Sequence, residues 1–166
     1  MPSVARETVG ELHDRLRTLD ISIALYDRRI AQLARQSEPA QRLMRIAGVG
    51  PITATAMVAS VGNAHAFANA RQFAAWLGLT PRQNSSGGKT KLGAITKRGD
   101  VHLRTLLIHG TRSVLQRARD SDVRGRWALK LKARRGANVA AVALAAKHAR
   151  IIWAMLARGT EYRVPA

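Results

Sequence analysis

Gly78-Leu79-Thr80-Pro81-Arg82-Gln83-Asn84-Ser85-Ser86-Gly87-Gly88-Lys89-Thr90-Lys91-Leu92-Gly93-Ala94-Ile95-Thr96-Lys97-Arg98-Gly99-Asp100 divides the chain. On both sides of it apolar residues recur at helical spacing; within it Gly, Pro, Ser and Asn accumulate and the period disappears. No window alternates over strand length, so the expected fold is all-α, with 78–100 as a Gly/Ser/Lys-rich loop. Loops this long are usually functional or disordered. Two readings fit. One is a solvated linker. The other is a phosphate-handling site: Ser85 and Ser86 precede two glycines, Lys89, Lys91, Lys97 and Arg98 surround them, and Asp100 is the one local acid. There a serine hydroxyl on a bendable backbone would act as nucleophile.

The 166 residues suffice for one ordinary domain, or a small domain plus an extended helix. Aromatics are only 4%, so Ala, Leu, Ile and Val must fill the core. The absence of Cys removes disulfides and thiolate metal sites. Lys and Arg number 28 against 10 Asp and Glu, a formal charge of +18 with a pI near 11.8. Such an excess repels itself unless a polyanion is present, which makes nucleic acid the default partner. The bland alternative is a generally basic, soluble protein. Apolar segments read as too short or too interrupted to span a bilayer, and Arg6, Glu7 and Glu11 at the start do not resemble a signal peptide. No membrane partner and a cytoplasmic location are expected.

Val9, Leu12, Leu16, Leu19, Ile23, Tyr26, Ile30 and Leu33 follow one another at alternating steps of three and four. This is a heptad seam in a helix from Ser3 or Val4 to Gln36, ended by Ser37-Glu38-Pro39. So narrow a stripe suits a coiled coil, with another chain or another segment, better than a globular core face; a helix folded back on its own domain is the plainer reading. Residues 1–38 are thus expected to form a coiled-coil helix, 39–158 a helical domain and 159–166 a loose tail.

Within 43–62 a short apolar helix, Leu43 to Ala47, runs into Gly48-Val49-Gly50, and Pro51 opens an Ala-rich second helix. The pattern looks like a helix-hairpin-helix element, whose turn glycines expose amides of the second helix to a DNA phosphate. An ordinary αα-hairpin is the alternative. Gly48, Gly50 and Thr53 are its candidate DNA contacts, alongside Arg82, Lys89, Lys91, Lys97, Arg98 and Arg104.

Further on, Asn69 is a plausible N-cap for a helix holding Phe73 and Trp76 as core residues, with Gly78 as its stop. Asp100 offers the cap of the next helix, whose polar face is expected to show Arg104, Arg112, Arg117 and Arg119. His102 and His109, seven apart, do not have the spacing of a metal pair. After Asp120-Ser121-Asp122, cations from Arg124 to Arg135 punctuate a helix burying Trp127, Leu129 and Leu131; a solvated face and a phosphate-tracking face both fit. Gly136 closes it, Asn138 caps the last helix, and Val139 to Leu156 is apolar enough for the middle of a bundle, ending at Gly159.

The ordered set comprising the heptad helix, Ile46-Ala47-Gly48-Val49-Gly50, Arg71 to Arg82, Ser85-Ser86-Gly87, and Ile95-Thr96-Lys97-Arg98-Gly99-Asp100 before Leu103-Arg104 resembles the C-terminal half of the IS-one-hundred-and-ten insertion-sequence transposases. The resemblance covers about residues 5 to 158. It implies a helical transposase domain whose nucleophile is the serine immediately before the glycine, here Ser86 and not Ser85, forming a phosphoserine link to DNA. It also implies assembly through the coiled coil and a structured bridge RNA that selects DNA. A RuvC-like domain with an acidic tetrad, binding a divalent metal such as Mg, is implied in the other half of the family. This chain is expected to need no cofactor itself: Asp14, Asp20 and Asp27 belong to the heptad helix, and Asp100, Asp120 and Asp122 read as caps or turns. Without the RuvC-like half the chain is expected to bind DNA and to carry out complete transposition poorly or not at all. Rival expectations are a non-catalytic nucleic-acid-binding module, and a fragment that interferes with transposase assembly through the Val9 to Leu33 seam.

Overall fold

The computed structural model describes residues 3–84, 91–118 and 123–162, with side chains left out at 123 and 124. The chain is mainly helical. Its first element, α1 (Ser3–Gln36), has the length the heptad pattern predicts, about 50 Å at 1.5 Å per residue. Ala34 is its one buried residue among those described. Seam residues Val9, Leu12, Leu16, Leu19, Ile23, Tyr26 and Leu33 are all more than half exposed, so the seam lies open.

Ser37 ends α1 and starts α2 (Glu38–Leu43), its hydroxyl accepting from the Ala40 amide, with Pro39 in the first turn. Here sequence and structure differ: the helix before the hairpin lies earlier than Leu43–Ala47, and 44–48 are turns, anchored by buried Ile46 and Val49. Gly50 then begins α3 (Pro51–Val61), which buries Thr53, Ala54, Met57 and Val61. A 3-10 turn (Ala64–Ala66) capped by Asn63 leads to α4 (Ala70–Trp76), where Asn69 accepts from the Arg71 and Gln72 amides at 3.0 Å each. Phe73 is fully buried and stacks edge-on to Phe67, and Trp76 leans on both, as a core reading of these rings requires.

The expected 23-residue loop is in part a two-stranded antiparallel ribbon, β1 (Pro81–Gln83) and β2 (Leu92–Ile95), with an irregular register. Both strands are almost wholly exposed, so neither side-chain period marks them. Asp100 caps α5 (Val101–Arg117) through the Leu103 amide at 2.8 Å. α6 (Val123–Arg135) half-buries Trp127, Leu129 and Leu131 and buries Ala128. The expected Asp120-Ser121-Asp122 break, with Arg119, lies outside the described residues.

The axis of the domain is α7 (Ala137–Arg158), packed against α4, α5 and α6 and burying an Ala-rich stripe with Leu144, Ile152 and Met155. It is long and apolar enough to cross a membrane, yet it sits in the core. Its N-cap is Gly136, not Asn138, whose side-chain oxygen instead accepts from Arg112 at 3.2 Å. Of the tail, 159–162 are described: Arg42 donates to the Gly159 carbonyl, Glu161 pairs with Arg45 at 2.9 Å, and Tyr162 packs on the core.

Candidate nucleic-acid interface

The ribbon is an arm whose base is clamped by two glycines. Gly78 (φ +70°) ends α4 by donating to the Ala75 carbonyl at 2.8 Å, and a Cβ there would stand 2.5 Å from the Arg98 carbonyl oxygen. Gly99 (φ +131°) approaches α4 so closely that a Cβ would overlap the Trp76 carbonyl oxygen. Only a residue without a side chain permits either contact. Along the arm, Lys97 donates its amide to Gly78, Thr96 to Thr80, and Asn84 to Lys91 at 2.9 Å. Residues 85–90 connect Asn84 to Lys91 in the sequence. Ser85, Ser86 and Lys89 are therefore outside the described residues, and the candidate nucleophile with them.

Of the predicted cations, Arg82, Lys91, Lys97 and Arg98 are exposed on the arm or at its base. Arg82 reaches the Thr96 carbonyl at 3.5 Å, and none of the four forms an ion pair with a described residue. Arg104 is different. It does not belong to an open polar face: it is 8% exposed and donates through Nη1 to the Leu77 carbonyl at 3.1 Å. A buried guanidinium that satisfies the end of α4 fixes the arm's base; it is not presented to a ligand.

The second predicted group is the hairpin. Gly48 (φ +81°) is pressed backbone to backbone against Gly110 of α5; a Cβ on Gly48 would lie 2.5 Å from the Gly110 oxygen, and one on Gly110 would overlap the Gly48 oxygen. Gly50 stands in open space at the start of α3, which has no side-chain cap. The amides of Ile52 and Thr53 are among the first-turn donors that a helix cannot satisfy itself. Thr53 is only 6% exposed and lines a depression shared with His109 and Ser113 of α5.

Arm and hairpin are thus brought onto one helix, α5, but not to one point. Arg104 and Gly110 are six residues apart, about 9 Å along the axis and about 240° around it. One phosphate cannot be shared between them. Gly110 and Ser113 escaped the sequence reading, and His109 was weighed there only as a metal ligand, although a glycine inside a helix costs about 1 kcal/mol and so asks for a reason; the reason is Gly48. Among the described residues no three His, Asp or Glu side chains gather as a metal site would need.

Residues 40–128 match the sequence profile described as the transposase IS116/IS110/IS902 family. A probable family 20 transposase of Pseudomonas aeruginosa is 52% identical over 164 residues, covering 98% of this chain and 48% of that protein. The transposase for insertion sequence element IS1111A of Coxiella burnetii is 46% identical, covering 93% of this chain and 43% of its own length. That for IS1328 of Yersinia enterocolitica is 36% identical, covering 98% and 49%. The chain spans about half the length of the curated relatives it matches.

Proposed function

Since the chain belongs to the IS116/IS110/IS902 transposase family, we propose that it is the part of a DNA transposase that binds the DNA strand and supplies a serine nucleophile, Ser86, for cleavage and exchange. The observation that carries this reading is the arm: Arg82 in β1 and Lys91, Lys97 and Arg98 flanking β2 are exposed on either side of the sequence containing Ser86, while the arm's base is fixed by Gly78, Gly99 and Arg104.

The chemistry follows from these groups. Ser86 Oγ attacks a backbone phosphorus and gives up its proton to solvent or a base; a deoxyribose oxygen leaves and takes up a proton, and the strand is held as a phosphoserine ester. Attack by a hydroxyl of a second strand reverses the step, releases Ser86 and joins the exchanged ends. Serine is a weak nucleophile at neutral pH. Cations beside the phosphate stabilise the charge on the pentavalent centre, an effect worth about 10²–10³ in rate for one well-placed donor. Lys91, Lys97 and Arg98, with Lys89, are assigned that role.

The hairpin is a separate, sequence-independent phosphate contact, through the amides after Gly50; Thr53, only 6% exposed, is not assigned one. The open seam of α1 is the assembly surface, for a second copy or for a full-length transposase. A divalent metal such as Mg belongs to a RuvC-like half and not to this chain, so no step is routed through a metal here; a structured RNA that chooses the DNA is the further partner. All of these act where the DNA is, in the cytoplasm. The open seam of α1 favours one second reading: a DNA-binding module that enters transposase assemblies through α1 without completing the reaction.

The test is a suicide DNA substrate supplied with full-length transposase and its RNA. Covalent trapping on this chain that is lost in Ser86→Ala and kept in Ser85→Ala supports the assignment. Equal trapping by both variants overturns it, and DNA binding with no adduct under any complementation supports the second reading.

A further inference from the structure

A cleft of about 820 Å³ opens between the arm and α7, and the hairpin site has no part in it. One wall is the β2 strand, with Leu92 62% exposed; the floor is α7, with Val139 49% exposed. Trp127 of α6 stands at the far side, with Lys147 Nζ 3.7 Å from its ring centre. Arg135 and Arg150 also line the cleft, and no carboxylate does so among the described residues. Its volume is in the range of small-ligand sites, which pair apolar walls with a few placed charges.

From this geometry we infer that the cleft seats one unstacked nucleobase of a DNA strand, with the adjoining phosphate on Arg135 and Arg150. The inference rests on the DNA-binding reading above and adds the place where a base goes. A nucleotide combines a flat, weakly polar face with an anion, and the cleft offers an apolar slot with a cationic lining. A second copy of this chain at +18 would meet that lining with like charge. The strand that walls the cleft belongs to the same arm that carries exposed Arg82, Lys91, Lys97 and Arg98. Proteins that act on or hold single strands draw bases from the stack onto aromatic and apolar surfaces, in a sequence-tolerant way.

The experiment follows backbone and indole resonances of the isotope-labelled chain during titration with a short oligothymidine and, separately, with a duplex of equal length. Val139→Glu, at an exposed position, puts an acid into the cleft without touching the core; Ala143→Phe fills it. The inference expects oligothymidine to move β2, the Trp127 indole and the 139–147 turns of α7. It also expects either variant to weaken oligothymidine binding about tenfold, the worth of one stacked base, while duplex binding changes little. It is overturned if oligothymidine binds with the cleft resonances unmoved and the variants unaffected, a result that leaves general DNA binding intact. Failure to bind either DNA overturns both readings. Movement of the same resonances with protein concentration alone overturns it in favour of self-association.

Discussion

The hairpin at 44–50 and the arm at 78–100 are both turns that rely on glycine at close backbone contacts, yet they are held in opposite ways. Buried Ile46 and Val49 pin the hairpin from within, and Gly48 locks it on Gly110. The arm is gripped at its base by Gly78, Gly99 and Arg104, with Leu79 buried and Ile95 half-buried on the core, while its other described strand residues are exposed. A turn packed on both sides is a fixture that can offer amides to a backbone phosphate without moving. A turn clamped at its base turns Arg82, Lys91, Lys97 and Arg98 to solvent.

The sharpest way to break this contrast is at the two backbone contacts themselves. Gly99→Ala combines a left-handed φ with a steric overlap and is expected to cost about 3 kcal/mol or more; Gly110→Ala, in ordinary helical backbone, costs about 2–3 kcal/mol as α5 and the hairpin separate. Urea denaturation measures both, and equal, sub-kcal losses would refute the clamps. Next in size, Leu16→Glu with Ile23→Glu on α1 should abolish self-association in sedimentation while leaving the melting of the helical domain unchanged, because both side chains are more than half exposed and the buried residue of α1, Ala34, lies beyond them.

A smaller effect separates structural from ligand-facing cations. Arg104→Gln should lose about 1–3 kcal/mol of stability, since the Leu77 carbonyl loses a buried charged donor, with the salt dependence of DNA binding unaltered. Lys97→Gln should do the reverse: stability within about 0.5 kcal/mol, and a salt-dependence slope of DNA affinity lower by about 0.9 if a phosphate contact is lost. Should the two variants behave alike, the distinction between base and arm fails.

Much of this was legible in the residues. The heptad period gave α1 its bounds, the side chains of Asn69 and Asp100 marked the helix starts they cap, and the apolar run of 139–156 marked the central helix. What was hidden depends on contacts between distant positions. Arg104 looks like one of several arginines on a polar face until Leu77 is seen beside it. Pro81-Arg82-Gln83 has no strand pattern because it buries nothing, and its pairing with Leu92 to Ile95 leaves no side-chain period to read. Gly110 was readable as an oddity but not as a partner of Gly48, 62 positions earlier. The cleft joins the arm to α6 and α7, which are far from it in sequence. Of the candidate site, the cations and the serine pair were legible from composition, while the choice of Ser86 over Ser85 came from family resemblance alone.

That choice is also the most exposed part of the account. Trapped protein–DNA adduct, formed with full-length transposase and RNA and then digested with protease and nuclease, can be sequenced by tandem mass spectrometry. The account predicts a single nucleotide ester on Ser86; an ester on Ser85, on Thr90 or on any residue outside the arm would contradict it.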